Sequence, residues 1–223
     1  KITLKQVKEW YAKHYQPENL SLAIAGDFNF DDALRLCESN FIFEKNNFSH
    51  SIQNTIVNSS KIKQKITKRG MDQAIIMIGG FACSANENMK NIAFHLLSQI
   101  IGGESDSILF TELREKRGLA YSVDFSYSSV RTTGFWVASA VVDKSNKDEA
   151  VKVIRDVLQN IKTNGITRKE LETTKNFIRG QRLMEQESVL NLAQTLSILE
   201  SLGLGYSYYL KRDERLDNVD VKM

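Results

Sequence analysis

The residues of this chain able to ligate a metal or act as nucleophiles are few and scattered. Its histidines are His14, His50 and His95, and its cysteines are Cys37 and Cys83. The cysteines lie far apart without a CxxC spacing and read as small buried hydrophobes rather than a disulfide or metal pair. His50 falls in a polar stretch with no second ligand near it. His95 sits off the apolar stripe of a helical segment, where a lone histidine reads as a surface or hydrogen-bonded residue. Gly26-Asp27 and Gly102-Gly103 raise the question of a phosphate cradle, but no GxGxxG accompanies the first and no Lys-Ser/Thr follows the second. Both read as turns, the glycine pair as a tight link between two helices.

One stretch is left, Gly102 to Tyr127, GGESDSILFTELREKRGLAYSVDFSY. The spacing predicts a helix from Ser107 to Arg117. Glu112 and Lys116 form an i,i+4 pair with the acid first, and Lys116 and Arg117 place positive charge in the last turn. Gly118 stands where a left-handed residue is wanted to close it. From Ser122 a strand follows, with Val123, Phe125 and Tyr127 on one face and Ser122, Asp124, Ser126 and Ser128 on the other. On spacing alone, Arg114 is one charge on a solvated helix face and Tyr121 a packing residue that opens the strand.

The wording G-x-x-S-x-x-L-F-x-E-L-R-E-K-R-G-L-A-Y-S-V resembles the signature of the C-terminal homology domain in the insulinase/pitrilysin family of inverted-motif zinc peptidases, which includes mitochondrial processing peptidase. The resemblance implies that Arg114 and Tyr121 reach across a closed chamber to a peptide substrate held at zinc in the other half. Ile108 stands where that family usually has an arginine, so a second basic contact is not carried over. When water attacks a zinc-polarised carbonyl, charge develops on its oxygen, and a prepositioned phenol or guanidinium can stabilise it. Arginine also offers peptide carbonyls a rigid fork that lysine lacks.

The family's zinc site needs His-x-x-Glu-His and a further glutamate, and His14, His50 and His95 do not supply that spacing. No metal ligand is therefore assigned here, and this segment alone is not expected to hydrolyse peptides. The resemblance implies a catalytic half carrying zinc, upstream in the same polypeptide or on a partner subunit. The alternative is a non-catalytic structural or docking subunit of the same fold.

The elements around the signature follow in order. Thr3-x-x-Gln6 is a capping box for a helix over 4–14. Pro17 ends it, and Leu20–Ala25 reads as a short buried strand. Y-x-P-E-N-L-x-L-A-I-A-G-D resembles the helix–strand unit that closes the preceding domain in the same family. Asp31–Phe41 is predicted helical, with Ala33, Leu34 and Cys37 inward. Residues 46–60 read as an Asn/Ser-rich linker and 61–69 as a lysine-protected edge strand. Gln73–Phe81 reads as a central strand, Asn86–Ile101 as an amphipathic helix, and 122–130 with 134–142 as a hairpin. Helices follow over 146–165 and from Thr167 to about Leu202, where Gly180 is expected to kink or interrupt.

The fold expected is α+β: a mainly antiparallel sheet with helices packed on one face, preceded by the end of a similar domain. Residues 1–45 would close that preceding domain and 61–223 would form the family's C-terminal domain. Asp217–Lys222 resembles Thr3–Lys8, a weak repeat that suggests a further helix and strand beyond Met223. Residues 4–27 would then pack in place of that missing unit, in cis or by exchange.

The 223 residues suffice for a proper core, and 42% apolar with 26% charged content is ordinary for a globular protein. A net charge of +3 from 30 basic and 27 acidic residues is too balanced for a nucleic-acid binder. No apolar run approaches a membrane span, and no signal peptide opens the sequence.

Overall fold

A computed structural model describes residues 1–41, 70, 72–103 and 105–223. In chain order the helices and strands are α1 (Leu4–His14), α2 (Phe30–Asn40), β1 (Gln73–Ala82), α3 (Asn88–Gly102), α4 (Ile108–Phe110), β2 (Ala120–Ser129) and β3 (Gly134–Asp143). They continue as α5 (Lys147–Asn164), α6 (Arg168–Gln186), α7 (Val189–Ser201), α8 (Tyr206–Leu210) and α9 (Arg212–Asp217). The chain divides into two compact units, Lys1–Asn54 with Leu183–Tyr209, and Thr55–Arg182 with Leu210–Met223. The linker expected over 46–60 and the strand expected over 61–69 lie outside the described residues.

In the first unit α1 starts at the capping box read from the sequence. Gln6 donates its backbone N–H to Thr3 Oγ1 at 3.3 Å, and Thr3 donates its own to Gln6 Oε1 at 2.9 Å. Asn29 caps α2 by accepting from the N–H groups of Asp31 and Asp32. Of the residues expected inward on α2, Ala33 and Cys37 are half-buried and Leu34 is exposed.

The strand expected over Leu20–Ala25 does not form. Residues 20–26 join no ladder, because the sheet of the described residues contains β1, β2 and β3 alone. A strand exists only where a neighbour takes its backbone groups, and here Leu20, Leu22 and Ile24 stay exposed while Ser21, Ala23 and Ala25 are half-buried. The expectation that residues 4–27 fill the place of a missing helix–strand unit is not met in cis, since residues 20–26 pair with no strand of the described residues.

The second unit is the expected α+β arrangement. Its sheet is antiparallel in the order β1-β3-β2, with Gln73 opposite Asp143 and Ala82 opposite Gly134. The inward face brings Ile76, Ala138, Ala140, Val142 and Phe125 against Ile101 of α3, Leu109 of α4, Leu113, and Ala150 and Ile154 of α5. Alanines along the middle strand let the helices approach closely. On the outward face Ile75, Met77, Phe81 and Phe135 are exposed.

Among the described residues β3 lies between β1 and β2, and β1 pairs with it along one edge; the strand expected to flank β1 over 61–69 lies outside them. An apolar run fits either place, because periodicity does not report whether the second edge is paired.

Two further expectations change. Gly180 lies inside a continuous α6, which stops at Gln186, and Ser188 caps α7 through the Asn191 N–H at 3.3 Å. A single exposed glycine costs a helix only about 1 kcal/mol relative to alanine, which neighbouring turns absorb. Asp217 ends α9 rather than capping a helix, so its likeness to Thr3 is one of letters only. Arg179 binds its carboxylate, and the buried Lys175 donates to the carbonyls of Asp217 at 3.3 Å and Val219 at 2.7 Å. Cations at the end of a helix satisfy carbonyls that lack an intrahelical partner.

Candidate functional site

The segment before β2 is not the single α-helix its spacing predicts. After α4 the backbone widens into a π-turn over Thr111–Glu115, closed by Lys116 N–H on Thr111 O at 2.9 Å. Leu113 is fully buried and anchors the turn in the core, which leaves Arg114 pointing outward. Gly118 ends the segment at φ 61, a left-handed conformation that costs a side-chain-bearing residue free energy. Its N–H donates to Arg114 O at 3.0 Å, and that of Leu119 donates to Leu113 O at 2.8 Å. Single π-turns inside helices recur at functional sites because they rotate one side chain out of the regular sequence of faces.

Glu112 holds the end of this turn. It accepts from Lys116 Nζ at 2.6 Å and from Arg117, whose guanidinium also donates to the Glu112 carbonyl at 2.7 Å. These two cations hold the Glu112 carboxyl below its ordinary value of 4.5. A carboxylate depressed on folding adds stability above its unfolded value and loses it as pH falls through the folded one. The advantage of wild type over Glu112→Gln in thermal denaturation should therefore be full above pH 4.5 and vanish on acidification below it. An advantage that does not change with pH would show that the clamp contributes nothing through charge.

Tyr121 is displayed by a second irregularity. Ala120 faces Val142 and Ser122 faces Val141, so Tyr121 is the extra residue of a β-bulge. Strict alternation would put it inward with Val123, Phe125 and Tyr127; the bulge turns it out beside Ser122, and it is 55% exposed. The two signature residues then meet. Arg114 donates from its guanidinium to the Tyr121 carbonyl at 3.0 Å, while its charge lies over the Phe110 ring, 5.1 Å from the centroid. One of five N–H donors is committed in that bond to Tyr121.

Asp143, at the end of β3, was not singled out in the sequence. The Tyr121 hydroxyl lies 3.1 Å from both of its carboxylate oxygens and donates to them. The negative charge keeps the phenol protonated and raises its pKa above the ordinary value. The contact is diagonal across the hairpin: Tyr121 is the bulged residue after Ala120, and Asp143 follows Val142, the partner of Ala120.

The other strand tyrosine serves packing. Tyr127 is buried, its hydroxyl contacts Cys83 O at 2.8 Å and Asn91 Oδ1 at 2.9 Å, and it ties the end of β1 to α3. His95 sets its ring edge-on to Tyr127 at 4.8 Å and is exposed. His50 lies outside the described residues. Cys37 and Cys83 are free and half-buried. Among the described residues, no three of the histidines, cysteines and carboxylates are grouped to hold a metal ion, and no helix is long and apolar enough to cross a membrane.

A helix-backed antiparallel sheet of this kind defines an α+β class of domain, the fold of the solved peptidase M16 inactive domains. The chain belongs to that class: it is a member of the family described as the peptidase M16 inactive domain, matched over residues 1–178. It is 27% identical to an uncharacterized zinc protease of Streptomyces coelicolor over 213 residues, covering 91% of this chain and 44% of that protein. It is 22% identical to a non-peptidase homolog of Helicobacter pylori, covering 93% of this chain and 48% of that protein. Its fold matches the crystal structure of a peptidase M16 inactive domain from Pseudomonas fluorescens with a TM-score of 0.82 at 23% identity, covering 99% of this chain and 52% of that one. The chain thus spans about half the length of the curated relatives it matches.

Proposed function

We propose that this chain is the substrate-binding, non-zinc-binding portion of a zinc metalloendopeptidase, and that zinc is held by a catalytic half in the same polypeptide or on a partner subunit. The observation that carries the reading is the joint display of Arg114 and Tyr121. Tyr121 is turned outward by the β-bulge, and Arg114, on the exposed side of the π-turn, donates to its carbonyl. Arg114 would bind substrate carbonyls through its guanidinium fork, and Tyr121 would stabilise the oxyanion that forms when water attacks the scissile carbonyl. Zinc would supply the Lewis acid and the activated water. In this reading residues 1–45 are the closing unit of a preceding homologous domain and 61–223 the inactive domain proper.

The test is peptide hydrolysis by the full-length parent together with its zinc-bearing half. Hydrolysis should stop with a chelator and return with zinc. Arg114→Ala should lower kcat/KM by roughly 10²-fold. Hydrolysis that is indifferent to Arg114→Ala removes the substrate role. Absence of hydrolysis in an otherwise folded parent supports the second reading, a structural or docking subunit of the same fold. That reading draws support from the Helicobacter pylori relative, which is named a non-peptidase homolog.

A further inference from the structure

The Tyr121 phenol has one proton, and in this structure the proton is spent. Both oxygens of the Asp143 carboxylate stand 3.1 Å from the hydroxyl, and Asp143 is fixed at the end of β3 by its pairing with Gln73. The two charged groups hydrogen-bonded to Tyr121 divide it between them. Asp143 takes the hydroxyl, and Arg114 takes the backbone carbonyl. We propose that Asp143 is a positioning residue that parks the Tyr121 phenol, so that a substrate oxygen must take the hydroxyl away from Asp143 before Tyr121 can act on it. The inference rests on the reading of Tyr121 as a substrate contact and adds a residue that governs when the contact is made.

The physical reason is a competition between acceptors. A hydrogen bond from a hydroxyl to a carboxylate is about twice as strong as one to a neutral acceptor. The carbonyl of a bound peptide is neutral and does not displace Asp143. The oxygen that gains charge as water attacks is an acceptor of the same kind as a carboxylate, and it does. The exposure of the phenol allows the exchange, since the ring is not locked by packing on all sides. The contact with substrate is then made in the transition state and not before it, which confines its benefit to the chemical step. The restraint has a cost in rate, because the phenol's bond to Asp143 must be given up each time.

Asp143→Asn keeps the shape of the side chain and an acceptor oxygen but removes the charge, so the parked bond becomes a neutral one. In the full-length parent with its zinc-bearing half, kcat/KM on a peptide should rise roughly fivefold. The gain should be absent when Asp143→Asn is made in a Tyr121→Phe background, and Asp143→Glu should stay near wild type. A spectroscopic arm reads the contact directly. In the same protein with 13C at the ζ carbon of tyrosine, the Tyr121 signal is assigned by its loss in Tyr121→Phe. It should shift in Asp143→Asn and titrate at lower pH, and Asp143→Glu should restore it.

If Asp143→Asn leaves kcat/KM unchanged or lowers it while Tyr121→Phe remains costly, the parking role is overturned and the substrate role of Tyr121 stands. An unshifted Tyr121 signal in Asp143→Asn overturns it as well. A Tyr121→Phe parent with wild-type turnover sinks the substrate reading and this inference together.

Discussion

Tyr121→Phe, made in the full-length parent with its zinc-bearing half, should lower turnover by roughly 10²-fold and leave peptide binding nearly unchanged. The substitution removes a single hydroxyl. The ring keeps its place at the bulge, because backbone pairing on either side sets the bulge and the aromatic body does not. Stability should hardly move, since the side chain is exposed and the abandoned Asp143 carboxylate can turn to water. A donor aimed at charge that develops in the transition state acts on kcat and barely on KM. Loss of binding with unchanged turnover would instead make Tyr121 a ground-state contact. Unchanged turnover and binding together would remove it from the reaction.

The same two residues show how far the sequence could be read. The signature wording located Arg114 and Tyr121, and Gly118 marked the end of the turn that carries the first. Neither spacing nor periodicity gave the reason for their display. A π-turn and an α-helix over Ile108–Arg117 share the same apolar positions, and i−5 hydrogen bonding such as that of Lys116 distinguishes them. The bulge at Tyr121 was likewise invisible, because the alternation from Ser122 onward is regular and Tyr121 reads as its next inward member. Asp143 was reachable in principle by counting back along the hairpin, but that count needs the bulge to be known first.

Elsewhere, helices with caps were legible to within a residue or two, as α1 shows with Thr3 and Gln6. The strands of the sheet were legible to the same degree, but whether a strand-like run finds a partner was not. Leu20–Ala25 has a strand's composition and no ladder to join among the described residues, while Gln73–Ala82 has a central strand's composition and an outward face left open.

Gly102 is the position where the reason, rather than the residue, was misread. As half of a glycine pair it suggests a turn that needs conformational freedom. In the structure it is the last residue of α3, buried and helical, and has no positive φ. What it needs is the absence of a side chain: a Cβ built there would lie 2.5 Å from both the Cβ and the backbone nitrogen of Phe125 in β2. The end of α3 thus rests directly on the strand that carries Tyr121. Gly102→Ala is expected to destabilise the fold by about 3 kcal/mol, the upper end of the cost of overpacking. A strand backbone cannot rotate away as a side chain can, and Phe125 is itself held by the ring of Trp136, stacked at 5.4 Å. Alanine favours helix over glycine by about 1 kcal/mol, so an effect through helix propensity alone would have the opposite sign. Denaturant unfolding of the two proteins decides between them: a lower midpoint in Gly102→Ala means close approach sets the choice of glycine, and a higher one means it does not. The relief available to α3 is to lift away from β2, which would shift the strand and the bulge with it. A Gly102→Ala parent that folds should therefore also lose kcat, although Gly102 lies in the core and Tyr121 on the opposite face of the sheet.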